Sequence, residues 1–261
     1  MNAPLPHAHL DANATRVQIE QVALQRGKTQ VFHGLDLQLT EQRIGLIGDN
    51  GAGKTSLLRL LCGLDAPQAG SVRICGVDIH TATKERAQLI GLMFQNPDDQ
   101  IIYPVVEEEI ALSLRARGLK KPQALAAARE LLAERGLSHW ADRAIGSLSQ
   151  GQRQQVCWLA LKAADPRVLL LDEPFASLDL PSQNRLADDM AETSQQVIVS
   201  THVLAHIQDF DRVIWLEAGA VRADGSPQEV CAAYEADVAL RDAHSRAHRA
   251  AARITKVKQH G

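Results

Sequence analysis

The residues best suited to chemistry lie in one short stretch, "GDNGAGKTS", Gly48 to Ser56. It fits the pattern G-x-x-x-x-G-K-[ST], follows the apolar run "RIGLI" and opens the helical run "KTSLLRLLCG". Glycines at 48, 51 and 53 let the backbone curl, so that successive N–H groups along Asp49, Asn50 and Ala52 point inward at a polyphosphate. The helix start adds its partial positive charge. Lys54 then neutralises the β- and γ-phosphates, the Thr55 hydroxyl is placed to ligate Mg²⁺, and Ser56 closes the cradle. A glycine turn before an ordinary helix is the competing reading, and the correct flanks on both sides argue against it.

A second stretch, "RVLLLDEP", narrows the reaction. Its apolar residues carry a strand into the core, and Asp172 and Glu173 emerge at the carboxyl end, where ligands bind in open α/β sheets. Asp172 is placed to hold a metal ion through water, and Glu173 to orient or deprotonate an attacking water. Ahead of it lie Gln95, closing the run "LMF", and "LSQGQRQQV" from Leu148, and after it come "PFASLD" with Ser177, Leu178 and Asp179, and "VSTH" ending at His202. With these elements in their order along the chain, it resembles, from about residue 16 to about residue 230, the nucleotide-binding subunit of an ATP-binding cassette (ABC) transporter.

The resemblance implies an α/β fold: a P-loop ATPase with a RecA-like parallel core, an antiparallel β portion and an α-helical subdomain. It also implies ATP and Mg²⁺ as ligands, with Thr55, Gln95 and Asp172 around the metal and Glu173, His202 and Gln95 around the attacking water. Two cassettes pair head to tail, so that Ser149, the Gly151 amide and Gln152 of one chain, with Asp179 of the D-loop nearby, complete the γ-phosphate site of the other. Two positions depart from the family pattern. Gln150 replaces the first glycine of the LSGGQ signature, leaving the serine and second glycine in place. The aromatic residue that stacks on adenine has no counterpart between Val17 and Val31, and the matching position is Arg26. An arginine plane can lie on a purine, and a surface arginine without a ligand is the competing reading.

The elements that must position these residues follow from periodicity. "RVQIEQVAL" and "VFHGLDLQL" alternate apolar and polar residues, as half-buried antiparallel strands do. "RIGLIG", "LIGLMF", "RVLLLDE" and "QVIVSTH" are short continuous apolar runs, the form of buried parallel strands. "EEEIALSLRARG" and "QALAAARELLAERG" have helical spacing and form a helical insertion. "DRVIWLEAGAVRADG" reads as a hairpin, and the residues after it as one or two terminal helices. The resulting domain plan is a disordered tail over 1–15, an ABC ATPase domain over 16–235 with its helical subdomain at about 96–165, and a C-terminal helical tail over 236–261.

Composition excludes other classes. At 261 residues and 45% hydrophobic content the chain builds a proper core, and a net charge of −3 without a basic face argues against direct binding of nucleic acid. Cys62, Cys75, Cys157 and Cys231 form no CxxC pair, and histidines at 7, 9, 244, 248 and 260 lack ligand spacing. No run approaches the roughly 18 apolar residues of a membrane span. Soluble ABC ATPases that act on nucleic acid or ribosomes are the rival class, but they carry a long coiled coil or two tandem cassettes, and neither is present. A plain P-loop kinase or GTPase would not need the LSQGQ element.

The words "FQNPDDQ" and "EEEIA" resemble the ATPases of energy-coupling factor (ECF) importers, which serve cobalt or nickel ions, or biotin and other vitamins. The tail after Tyr234 leans the reading to the metal ions. This resemblance implies a homodimer or a paralogous ATPase partner, an integral membrane coupling subunit, a substrate-binding membrane component, and a peripheral place on the cytoplasmic face of the membrane. The apolar patch Ile101, Ile102, Tyr103, Val105 and Val106, rimmed by Glu107, Glu108 and Glu109, is expected to receive a basic helix from the coupling subunit. The competing reading packs the apolar residues inside the insertion and leaves the glutamates to favour the start of the next helix.

Overall fold

The computed structural model describes residues 17–83 and 85–258, with side chains in the last helix described as far as residue 246. The expected tail over 1–15 lies outside the described residues, as do His7, His9, His260 and the side chain of His248.

Strands β1 (Val17–Arg26) and β2 (Thr29–Leu39) pair antiparallel, with Val17 opposite Leu39 and Arg26 opposite Thr29. Their alternating residues bury one face, including Val17, Ile19, Val22, Leu24 and Phe32. The run "RIGLI" forms β3 (Arg43–Ile47), and helix α1 (Lys54–Leu61) starts directly after the glycine-rich loop. Strands β4 (Ala69–Ile74) and β5 (Val77–Asp78) return to the first sheet, whose order is β2-β1-β4-β5.

One turn of helix, α2 (Arg86–Leu89), leads into β6 (Ile90–Met93). The helical layer follows: α3 (Val106–Ala116), α4 (Lys121–Glu134) and α5 (Gln150–Ala164). It has its own apolar centre of Val106, Ile110, Ala128, Leu132, Trp140 and Leu159. Next come β7 (Val168–Asp172), α6 (Leu180–Glu192), β8 (Gln196–Ser200), the hairpin β9 (Arg212–Glu217) and β10 (Ala220–Gly225), and α7 (Pro227–Lys258). The second sheet has the order β10-β9-β3-β8-β7-β6, parallel except for β10. Every residue of β7 and β8 is buried, which explains why these strands read as unbroken apolar runs.

The residues after the hairpin form a single helix that crosses residue 235 without a break. Val230 and Cys231, on its first turns, are buried against Ile47, Val213 and Trp215. Strands β4 and β5 left no mark in the periodicity, since "AGSVRI" is half exposed and β5 has only two residues. Among the described residues no helix is long and apolar enough to cross a membrane.

Candidate active site

The carboxyl ends of β3, β7 and β8 open on a cleft of about 650 Å³ lined by Gly48, Asp49, Asn50, Gly51, Gly53, Lys54, Thr55, Ser56, Gln95, Asp172, Glu173 and His202. Lys54 and Ser200, 146 positions apart, therefore share one cavity because the parallel strands end at one edge. The loop from Gly48 to Gly53 needs its glycines. Gly48 has φ 139°, and a Cβ there would sit 2.1 Å from the Leu216 carbonyl oxygen. Gly53, at the start of α1, has φ 110° and faces the Phe32 ring, 3.1 Å from where its Cβ would be.

Lys54 is buried, and its Nζ donates to the carbonyl oxygens of Gly48 at 2.7 Å and Asp49 at 3.2 Å. Burial pulls its pKa below the ordinary lysine value, against the carboxylates of Glu173, Asp172 and Asp49. The ammonium thus sits inside the curl of the loop, ready to exchange carbonyl contacts for phosphate oxygens. Thr55 Oγ1 donates to Asp172 Oδ2 at 2.8 Å. Burial pushes the Asp172 carboxyl above its ordinary range, with the Thr55 hydroxyl opposing that shift. A buried carboxylate beside a threonine hydroxyl is a hard oxygen pair that gains from a bound cation, and the pair fits Mg²⁺.

Glu173 has φ 49°, a left-handed backbone that its N–H holds by donating to the Ser200 carbonyl at 2.9 Å. This turn aims its carboxylate across the cleft to His202, whose Nδ1 lies 2.8 Å from Oε2. The imidazole is largely exposed and the carboxylate largely covered, so the ring closes the outer side of the acid. Arg26 also lines the cleft. Its Nε lies 3.5 Å from Asp65 Oδ2 and its Nη1 3.5 Å from Ser56 Oγ.

Other expected residues are not brought to this cleft. Ser149 caps α5, accepting from the Gln152 N–H at 3.3 Å, while Gln152 Oε1 accepts from the Ser149 N–H at 3.0 Å. Gly151 packs against the backbone of Ser177, and Asp179 caps α6 by accepting from the Ser182 N–H at 3.0 Å. None of these four lines the chain's own cleft, and neither does Ala52, which is buried in the loop. Val31, Ser200 and Tyr234 do line it and were not expected. Tyr234 stands 180 positions after Lys54 in an unremarkable helical stretch, and no local signal marks it.

The segment after Gln95 corrects the expected acidic rim. Glu107 is buried and paired with Arg129, whose Nη2 donates to Oε1 at 3.1 Å. Glu109 is buried too, and its Oε2 accepts from the backbone N–H groups of Ile102 at 2.9 Å and Tyr103 at 2.7 Å. Glu108 alone is left half-exposed, 3.8 Å from Lys121. Val106 is fully buried, and Ile102, at 73% exposure, is the apolar residue of this stretch that faces out. Glu107 and Glu109 leave α3 on different sides, since residues two apart do not share a helix face: Glu107 reaches the Arg129 guanidinium of α4, and Glu109 turns back to the two backbone N–H groups that precede the helix.

A lysine folded beneath an open phosphate cradle, at the carboxyl edge of a parallel sheet, defines a P-loop nucleoside triphosphatase. The sequence profile of the ABC transporter family matches residues 32–176. The biotin transport ATP-binding protein BioM of Rhodobacter capsulatus is 47% identical over 218 residues, covering 84% of this chain and 93% of that one. BioM of Rhizobium etli is 36% identical over 219 residues, 84% of this chain and 97% of that one. The chain belongs to the ABC transporter family, as an ATP-binding subunit that hydrolyses ATP for transport. The solved structure of cbiO1 from Clostridium perfringens, described as part of the ABC transporter complex cbiONQ, superposes with a TM-score of 0.71 at 24% identity, over 85% of this chain and 93% of that one.

Proposed function

We propose that this chain is the ATPase of an ECF-type importer that takes up biotin. The observation that carries the reading is the 47% identity to a biotin transport protein across 84% of the chain. The leaning to cobalt or nickel gives way to it, since the cobalt-type likeness is a structural one at 24% identity, which speaks for the fold alone. The working position is the cytoplasmic face of the membrane, held by an integral coupling subunit and a substrate-binding membrane component. The exposed Ile102 supports a docking point on the segment that follows Gln95.

In this reading the loop amides of residues 48–56 bind the phosphates of ATP and Lys54 balances the β- and γ-charges. Thr55, Gln95 and Asp172 would hold Mg²⁺, which when bound neutralises charge developing on the phosphate oxygens. Glu173 takes the proton of a water that attacks the γ-phosphorus in line, while His202 keeps the carboxylate aimed. The bond to the β–γ bridging oxygen breaks, leaving ADP and phosphate.

Ser149, Gly151, Gln152 and Asp179 act on the partner's ATP. Their place outside their own chain's cleft, with Ser149 exposed at the start of α5, supports a head-to-tail pair, either of two copies or with a paralogue. Uptake of radiolabelled biotin and of cobalt, in cells with and without this gene, tests the assignment. Loss of biotin uptake alone is expected, and loss of cobalt uptake alone moves the subunit to the metal-ion group.

A further inference from the structure

Asp49 is an odd residue for a loop that gathers an anion. It lines the cleft with a half-exposed carboxylate, its own carbonyl accepts from Lys54 Nζ, and the Lys54 charge acts on the acid. Left free, that carboxylate would compete with phosphate for Lys54 and repel the triphosphate. It is not left free. Tyr234 Oη donates to Oδ1 at 2.9 Å, Arg241 Nη2 donates to Oδ1 at 3.2 Å, and Arg241 Nη1 donates to Oδ2. The Arg241 guanidinium holds the Asp49 carboxyl below the usual range, so the acid stays ionised and its charge is matched from α7.

Both contacts come from one face of α7, because residues 234, 237 and 241 follow helical spacing. That face is braced. Asp237 lies 2.7 Å from Arg241 Nε and 2.6 Å from Arg222 Nη2, and the Arg222 guanidinium lies 4.2 Å over the Trp215 ring. Trp215 meets the Tyr234 ring edge-on at 5.2 Å and is buried beside β3, the strand that leads into the loop. The braced face therefore presents two donors to a single acid, and Tyr234 also lines the cleft.

We propose that Tyr234 and Arg241 are positioning residues of the nucleotide site: α7 clamps Asp49, removes its charge from competition with phosphate, and so sets the affinity of the loop for ATP. The inference rests on the cleft being the ATP site, and the test separates the two. The measurement is calorimetric titration of the full chain with ATP and Mg²⁺, for Arg241→Gln and Tyr234→Phe, each in the natural and the Asp49→Asn background.

Arg241→Gln is expected to weaken ATP about three- to tenfold at about 0.05 M salt, with the difference collapsing near 1 M salt, where the screening length falls to about 3 Å. In the Asp49→Asn background the same change should cost less than about twofold, since no charge remains to be matched. Tyr234→Phe, which keeps the ring on Trp215 and removes only the hydroxyl, should weaken ATP about two- to threefold. Equal losses in both backgrounds, or losses indifferent to salt, overturn the clamp. So does unchanged affinity in both single variants. Failure of the natural chain to bind ATP at all overturns the site reading instead.

Discussion

Glu173→Gln is the sharpest probe of the chemistry assigned to the cleft. Glu173 follows β7 in a left-handed conformation, with Oε2 2.8 Å from His202 Nδ1 and its backbone N–H donating to the Ser200 carbonyl. Glutamine has the same shape, tolerates the same backbone, and offers an oxygen to the imidazole, so the fold and the aim of the side chain survive. What disappears is the ability to accept a proton at neutral pH. A positioned general base contributes about 10²–10⁴-fold, which at 1.36 kcal/mol per decade is about 2.7–5.4 kcal/mol of barrier. Turnover should fall by that factor.

Binding should not fall. The contacts that hold Lys54 and Thr55 run to Gly48, Asp49 and Asp172, and Glu173 bears on Lys54 only through its charge. Removing a negative charge that faces the phosphates moves ATP affinity upward if it moves it at all. Steady-state phosphate release gives the first quantity, calorimetry with ATP the second, and gel filtration in ATP and Mg²⁺ should show a dimer that accumulates because hydrolysis no longer dissolves it. A loss of turnover below about tenfold refutes the general-base role. A variant that stays monomeric in ATP and Mg²⁺, while the natural chain hydrolyses normally, refutes head-to-tail pairing.

Asp172→Asn should raise the Tm of the nucleotide-free chain at neutral pH while abolishing Mg²⁺-dependent hydrolysis. Burial raises the folded-state pKa of Asp172, so between the ordinary and the raised value the folded state binds more protons, and stability falls as pH rises through that window. A lower Tm for the variant contradicts this sign. Arg26→Ala should weaken ATP by a few-fold to about thirtyfold, roughly 0.5–2 kcal/mol, and tripolyphosphate by less. Equal losses for the two ligands remove adenine from the explanation. Ile102→Asp should leave Tm and ATP affinity as they are, because the side chain is 73% exposed, and abolish co-purification with the membrane subunit. Normal assembly and transport by this variant place the docking point elsewhere.

What the sequence determined by itself was whatever a local pattern can encode. The glycines, lysine and threonine of residues 48–56 state a phosphate loop because backbone curl and charge must be supplied at adjacent positions. The apolar runs at 43–47, 168–172 and 196–200 state buried parallel strands because both faces are covered. The strand end placed Asp172 and Glu173 at the edge where the phosphate loop lies, the family resemblance added His202, and all three line one cleft with Lys54. Orientation was another matter. Three glutamates in a row look like a charged rim, yet Glu107 finds Arg129 and Glu109 finds two backbone amides, since which side of a helix is buried depends on what packs against it. Asp49 looked like one more cradle residue, while its partners stand 185 and 192 positions later. The pairing of a loop acid with a distant helix has no period and no motif. Only the packing of α7 against β9, which brings Tyr234 and Arg241 over the loop, decided it.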